Sequence, residues 1–340
     1  MPSRPSIPAC VAGLGRIGSL LEDDTLREKP CTHAGAIASD PHLALRAGCD
    51  PNPQRRTLFA RRWRVPVYAD AAEMLRVHRP LVLHIAAPPG AHRSLCALAA
   101  GAGVSVIVCE KPLADSLSDA RAIAALHRRG PCRVITNHER RYAEDYLRAK
   151  AVLDKGTLGE VLSIRGTLYM GQRRVLGRLL WHDGTHMADA IRFLGGGVLR
   201  HERAWGARLS AQEGTAFLAG ALDRGSGRTK KRIPVLIEVG AGRDHLVFEI
   251  AFSCEWGALR IGNGVFSVMK SADAPYAEGF RALADTGERF TGPARAFANL
   301  ASDAAACARD PTRVPASTAL DGLAAVTYLR SVYPLREGLF

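Results

Sequence analysis

The eight cysteines (10, 31, 49, 96, 109, 132, 254 and 307) include no Cys-x-x-Cys pair, which argues against paired-thiol zinc and redox motifs. Several stand inside apolar runs, where buried reduced thiols are usually found. Aromatic residues make up only 6% of the chain. With no zinc-finger spacing and no RNP-like aromatic motif, nucleic-acid binding is not expected. Acidic residues are outnumbered, 33 against 46 Lys plus Arg, for a formal charge of +13. The surplus arginines are spread along the chain and favour anionic ligands such as dinucleotide phosphates. No apolar run approaches ~20 residues, so no membrane partner is expected. The first residues lack an apolar stretch of signal-peptide length and lead straight into a strand, so the expected location is cytoplasmic.

With 340 residues, 47% hydrophobic and 23% charged, the chain is an ordinary globular sequence long enough for two domains. Residues 7–12 read as a short apolar strand running into Gly13-Leu14-Gly15-Arg16-Ile17-Gly18. This G-x-G-x-x-G lets the chain turn tightly, bring bare backbone to a pyrophosphate and pack a helix closely on the strand. A second strand, 43–49, ends at Asp50, where an acidic residue would meet the adenosine ribose of NAD and disfavour NADP; Arg55 softens that preference. Asp50 lies further from the glycines than is usual. The excess falls in the polar piece Ser19 to Cys31, an insertion expected to be a solvated bulge between the glycine loop and the helix 32–39.

A third buried strand, 81–87, contains His84, expected to be a core histidine, and leads into Pro88-Pro89-Gly90-Ala91-His92. The run Val104 to Cys109 is uncharged and β-branched, and ends abruptly in Glu110-Lys111-Pro112. A strand buried on both faces delivers that lysine to the carboxyl edge of a parallel sheet, where open α/β sheets hold ligands. A further strand ends at Asn137-His138, followed by Arg141. The expected fold is α/β: an N-terminal Rossmann doubly wound parallel sheet (1–138), then a C-terminal α+β domain (139–340) with an open, mostly antiparallel sheet. An arginine-rich loop, 172–178, follows the strand that carries Tyr169.

In the second half, Trp181-His182-Asp183-Gly184-Thr185-His186-Met187-Ala188-Asp189 reads as part of one helix, 181–194, which places His182, His186 and Asp189 on one helical face. A metal site is not expected, because the Glu of H-E-x-x-H and a companion ligand are absent. Core or capping histidines are one reading. A general base beside a nicotinamide is another, since imidazole titrates near ~7.

The dinucleotide fingerprint, Glu110-Lys111-Pro112, Asn137 ahead of Arg141-Tyr142, and Gly184-Thr185-His186 with Asp189 occur in this order. Together they resemble the glucose–fructose oxidoreductase / inositol dehydrogenase / rhizopine-catabolism (Gfo/Idh/MocA) family. The resemblance implies an NAD- or NADP-dependent oxidoreductase acting on a secondary alcohol of a sugar, cyclitol or related polyol. It implies that Lys111 orients the substrate hydroxyl and His186 is the acid/base, on opposite walls of one cleft. His182 stands where the family has an aspartate, with Asp183 beside it. The cofactor is then expected at Gly13, Gly15, Arg16, Ile17, Gly18, Asp50, Arg55, Ala87, Pro88, Pro89, His92, Glu110, Lys111 and Asn137. Substrate is expected at Lys111, Arg141, Tyr169, Trp181, His182, Asp183 and His186. Two other readings fit the scaffold: a glycosidase that transiently reduces its own NAD, and a non-catalytic NAD-binding protein. A homodimer or homotetramer is expected through the open sheet, whose bare face would otherwise expose apolar surface.

Overall fold

The computed structural model describes residues 6–130, 132–171, 175–225, 227 and 230–332. In chain order the first elements are β1 (Ile7–Ala12), α1 (His33–Ser39), β2 (Leu43–Cys49), α2 (Pro53–Trp63), β3 (Val67–Tyr68) and α3 (Ala71–His78). They continue with β4 (Val82–Ile85), α4 (His92–Gly101), β5 (Val106–Cys109), α5 (Leu117–Arg129) and β6 (Arg133–Thr136). Next come α6 (Glu144–Asp154), β7 (Val161–Tyr169), α7 (Leu176–His182), α8 (Gly184–Gly195), β8 (Val198–Gly206), β9 (Gly214–Arg224) and β10 (Lys231–Ala241). The last are β11 (Val247–Cys254), β12 (Gly257–Gly262), β13 (Val265–Asp273), β14 (Arg281–Asp285), α9 (Ala296–Arg309) and α10 (Ala319–Val332). No helix among the described residues is long and apolar enough to cross a membrane.

The chain forms two compact units. The first runs to Ala143 and includes Pro293–Val326; the second holds Glu144–Gly292 and resumes at Thr327. The sequence-based division assigns all of 139–340 to the second domain, and the structure differs there. Residues 139–143 and α9 stay in the first unit because Leu300 and Ala304 of α9 pack with residues of β4, β5 and β6, and polar groups tie 139–143 to α9 and the chain beyond it. Arg141 donates to Asp321 Oδ1 (2.9 Å) and to Ala316 O (3.1 Å). Tyr142 donates to Asp303 Oδ2 (3.2 Å), and Asn299 donates to Tyr142 O (2.9 Å).

In the first unit the six strands lie in the order β3-β2-β1-β4-β5-β6, all parallel. The order reverses between β1 and β4, which in an open parallel sheet marks the ligand crevice. Every residue of β4 and β5 is buried, as expected for strands covered on both faces. Val82, Val106, Val108 and Ile135 join Ala34, Ile37, Phe59, Leu300 and Ala304 in one apolar cluster, so α1, α2 and α9 cover one face. The second unit carries an eight-stranded sheet, β14-β13-β12-β11-β7-β10-β9-β8. Its pairs are antiparallel except β7 with β10. Ile164, Leu168, Leu218 and Ile237 are buried on one face. There Gly166 lets α8 approach, since a Cβ would lie 2.8 Å from Met187 Sδ.

The insertion 19–31 keeps residues 25–29 exposed, as a solvated bulge does, while several of its charged groups reach backbone and helix ends. Arg62 donates to Ser19 O (2.7 Å) and pairs with Asp23, and Trp63 Nε1 donates to Ser19 Oγ (2.8 Å). Lys29 Nζ donates to Leu21 O (3.1 Å) and Asp24 O (2.7 Å). The chain leaves a helical turn at the glycine loop and rejoins it at α1. There His33 N donates to Ile17 O and Ala34 N to Gly18 O, each at 3.0 Å, as though the helix had never been interrupted. Glu28 accepts from Ala294 N (2.7 Å) and Arg295 N (2.8 Å), just ahead of α9. An anion there meets free N–H groups and the positive end of the helix dipole. Glu28→Ala is expected to lower the unfolding free energy by about 1 kcal/mol. Urea denaturation measures it, and an unchanged midpoint would mean the strap adds nothing through this contact.

Candidate active site

At the carboxyl end of β1, Gly13 has φ +93° and backs onto β4, where a Cβ would meet the Ala86 carbonyl carbon and oxygen at 2.6 Å. Only glycine fits that approach and that φ. A Cβ on Gly18 would overlap Gly13 O. Gly15 differs from both: the nearest group a Cβ would find is the Arg55 guanidinium at 3.6 Å. Its backbone is therefore bare on one side, as a loop that cradles phosphates requires. Arg16 is exposed, and Ile17 O is taken up by α1.

Asp50, 3% exposed, stands at the end of β2 and accepts from Leu14 N (2.9 Å) and Asn52 N (2.8 Å). Arg55 Nη1 lies 3.5 Å from Asp50 Oδ2, and its side chain is 46% exposed. Ala87, Pro88 and Pro89 form the edge after β4. His92 begins α4, with Nε2 2.8 Å from Ala87 O and Nδ1 3.2 Å from Leu113 O. Burial pushes its pKa down. His92 thus ties the β4 edge to the segment beyond Lys111.

Glu110 is the buried charge of this edge. Its Oε2 accepts from Lys111 N (3.1 Å), and its Oε1 accepts from Asn137 Nδ2 (2.5 Å) and lies 2.9 Å from His33 Nε2. Burial by itself would raise the Glu110 pKa. The hydrogen bond from His33, followed by the Lys111 charge and the Asn137 amide, outweighs burial and brings it down to about 2. Lys111 is partly buried. Asn137 Oδ1 is buried with no hydrogen-bond partner among the described residues. An orphaned acceptor beside a bare glycine loop suits a bound group that carries hydroxyl or amide donors, so this edge fits a dinucleotide.

In the second unit, His182 and His186 do not share one helix. Asp183 ends α7 and begins α8, its N–H donating to Leu179 O (2.8 Å) and its carbonyl accepting from His186 N (3.1 Å). The break overturns the expected continuous helix over 181–194. It separates the expected trio: His182 has 60% of its side chain exposed, with Nδ1 3.2 Å from Asp183 Oδ1, while His186 is 9% exposed. Asp189 is buried and paired with Arg192 at 3.5 Å. Trp181 is buried, with the Arg330 guanidinium 4.5 Å above its ring. Tyr169 donates to Glu238 Oε1 (2.5 Å) and lies 4.0 Å under the Arg243 guanidinium. Residues 172–174 of the expected arginine-rich loop lie outside the described residues, and 176–178 belong to α7.

The profile of the Gfo/Idh/MocA oxidoreductases, NAD-binding Rossmann fold, matches residues 9–138. Those residues are similar to that family's nucleotide-binding domain. The chain is 31% identical to D-apiose dehydrogenase of Paraburkholderia graminis over 166 residues, covering 45% of this chain and 43% of that protein. It is 29% identical to inositol 2-dehydrogenase of Streptomyces avermitilis over 224 residues, 63% of each. The chain therefore spans less than two thirds of the length of either relative. Among solved structures, scyllo-inositol dehydrogenase of Lactobacillus casei, with bound NAD(H) and scyllo-inositol, superposes with a TM-score of 0.72. The match covers 96% of both chains at 20% identity, a likeness of fold.

Within this nucleotide-binding domain, His33 is the residue that sequence reasoning missed. The signal was a histidine opening an otherwise small and apolar helix, His33-Ala34-Gly35-Ala36-Ile37, paired with the lone histidine of Val82-Leu83-His84-Ile85. His84 lies in the core as expected, its pKa pushed well below the usual value by burial and then by His33. Because the folded-state pKa of Glu110 is depressed, its contribution to stability is complete above its ordinary value of 4.5. That contribution is lost as pH falls toward about 2. The stability gap between the wild type and Glu110→Gln should therefore narrow as pH drops from about 6 to about 3. Denaturation midpoints across that range check it, and a gap that widens in acid contradicts the ionised buried carboxylate.

Proposed function

We propose that the chain is an NAD(P)-dependent dehydrogenase that moves hydride between a secondary alcohol of a sugar, cyclitol or related polyol and nicotinamide. The observation that carries this reading is the grouping at one carboxyl edge. The bare Gly15 backbone, Asp50, the Glu110–Lys111 corner and Asn137 stand at the ends of β1, β2, β5 and β6. The similarity to D-apiose and inositol dehydrogenases supports the substrate class. Bound nicotinamide supplies the hydride chemistry; the chain supplies position and proton handling. Lys111 orients the substrate hydroxyl, and His186 takes its proton as general base. His182 offers an exposed imidazole to a neighbouring hydroxyl. Arg141, Trp181 and Tyr169 are engaged with Asp321, Arg330 and Glu238, so the reading gives them supporting roles and not direct ones.

Asp50 favours NAD, while the half-exposed Arg55 beside it gives a 2′-phosphate a partner, so NADP is tolerated. A cytoplasmic setting agrees with eight cysteines that are all free and buried. Assembly as a homodimer or homotetramer through the open sheet is supported by Trp205. It is 44% exposed and stacked on Phe217 at 5.5 Å.

A screen of polyols and aldoses with NAD and NADP, followed by near-ultraviolet absorbance of the reduced cofactor, tests the activity. Dinucleotide binding without turnover on any of them overturns the dehydrogenase assignment. On the active substrate, His186→Ala should lower kcat on the order of 10²–10⁴-fold with dinucleotide affinity retained; full activity would remove His186 from proton transfer. Arg55→Ala should raise the KM for NADP by about tenfold and leave that for NAD nearly unchanged, in line with the loss of one charge-assisted phosphate contact.

A further inference from the structure

Beneath the Lys111 corner lies a chain of buried side chains that the reaction itself does not use. His33, the first residue of α1, and His84, in the middle of β4, have 0% exposure. Their Nδ1 atoms are 2.9 Å apart, and His33 Nε2 is 2.9 Å from Glu110 Oε1. The edge of Phe297, from α9, closes on His33 with ring centroids 5.6 Å apart. Asn137 and the Lys111 N–H complete the surroundings of Glu110.

The protons on this chain can be assigned by elimination. An ionised carboxylate only accepts, so His33 must carry a proton on Nε2; a lone pair there would face the carboxylate and repel it. A doubly protonated His33 would donate to His84 Nδ1 and put an N–H on the orphaned His84 Nε2, so His33 is neutral and its Nδ1 is an acceptor that requires a donor. Among the described residues the one atom that hydrogen-bonds His33 Nδ1 is His84 Nδ1, which must therefore be an N–H. That leaves His84 Nε2 as a bare lone pair. His84 Nε2 is the ring nitrogen that has no partner among the described residues. The reverse assignment would put an N–H at that orphaned position and leave two lone pairs facing each other between the rings. A buried donor without an acceptor is among the costlier defects of a protein interior.

We propose that His84 and His33 are positioning residues: His84 locks the tautomer of His33, His33 holds Glu110, and Glu110 fixes the backbone N–H of Lys111 and the amide of Asn137. The catalytic part of this inference rests on the reading of Lys111 as the group that orients substrate; the tautomer part does not. The logic parallels the outer partners of a ligating histidine, which select which ring nitrogen carries the proton and thereby fix its orientation. A sub-ångström change at Glu110 is passed directly to the strand end that delivers the lysine. Displacements of about 1 Å around a reacting centre cost up to ~100-fold in rate.

The test has two arms. In protein labelled with ¹⁵N-histidine, the ring resonances should show His84 protonated at Nδ1 and bare at Nε2, and His33 protonated at Nε2. In Glu110→Gln, whose side chain can turn its amide toward His33, the lock should be lost and both tautomers appear. His84 protonated at Nε2 in the wild type overturns the proposal without any turnover being measured. The second arm compares variants on the active substrate. His33→Leu should lower kcat at least about tenfold with the dinucleotide KM little changed. His33→Gln, which restores a donor to Glu110, should recover most of the loss. His84→Leu should add nothing in a His33→Leu background, because it acts only through His33. Additive losses, or failure of His33→Gln to rescue, overturn the relay. A wild type with the expected tautomers and no dehydrogenase activity would sink the proposed function and leave the tautomer lock standing.

Discussion

A buried carboxylate has to be surrounded by donors or lose its charge, and in the first unit that requirement falls on Glu110. Three separate pieces of chain meet it: the residue that follows it, the end of β6, and the start of α1. Each donor is a constraint on tertiary structure, because Asn137 must stand beside β5 and His33 must be carried over the sheet. With the charge satisfied, the carboxyl edge becomes a fixed platform for the lysine at its rim. With one donor missing, the same group would be a buried liability of several kcal/mol. The geometry of the nucleotide-binding edge and the packing of α1 are thus one problem.

The strap between the glycine loop and α1 has to be read against that requirement. It interrupts the helical run just ahead of the turn that carries His33, yet the hydrogen-bond ladder is restored from Ile17 and Gly18 to His33 and Ala34. Lys29, Asp23 and Glu28 of the strap are committed to backbone carbonyls, to Arg62 and to the start of α9. The insertion lengthens the chain without displacing the histidine that Glu110 needs.

Much of the first unit was legible in the sequence because each of its strands is short, apolar and bounded by turn residues. Asp50, Glu110 and Asn137 fall at strand ends by that pattern alone. In the second unit the interior strands alternate and are legible, as in β7 and β11, whereas β8 and β14 are not. β8 carries Arg200, His201, Glu202 and Arg203 in succession, and edge strands protected by charge show little periodicity. The break at Asp183 was hidden for a different reason. Nothing in Trp-His-Asp-Gly-Thr-His forbids a helix, so i, i+4 spacing gives no sign that two helices meet at Asp183. The return of α9 to the first unit was illegible because it depends on partners such as Tyr142 and Asp303, which are far apart in the chain. His33 was passed over since a helix-opening histidine has no local signature of what lies across from it.

The spliced ladder at Ile17 and Gly18 also bears on how the molecule is made. In an uninterrupted fingerprint, the turn that shapes the phosphate loop is completed by the very next residues, a local event. Here its last two carbonyls wait for chain that has first travelled out and back, so the entropy of closing that excursion is charged to the loop itself. Cradle and excursion should therefore mature together during synthesis, as a single cooperative step.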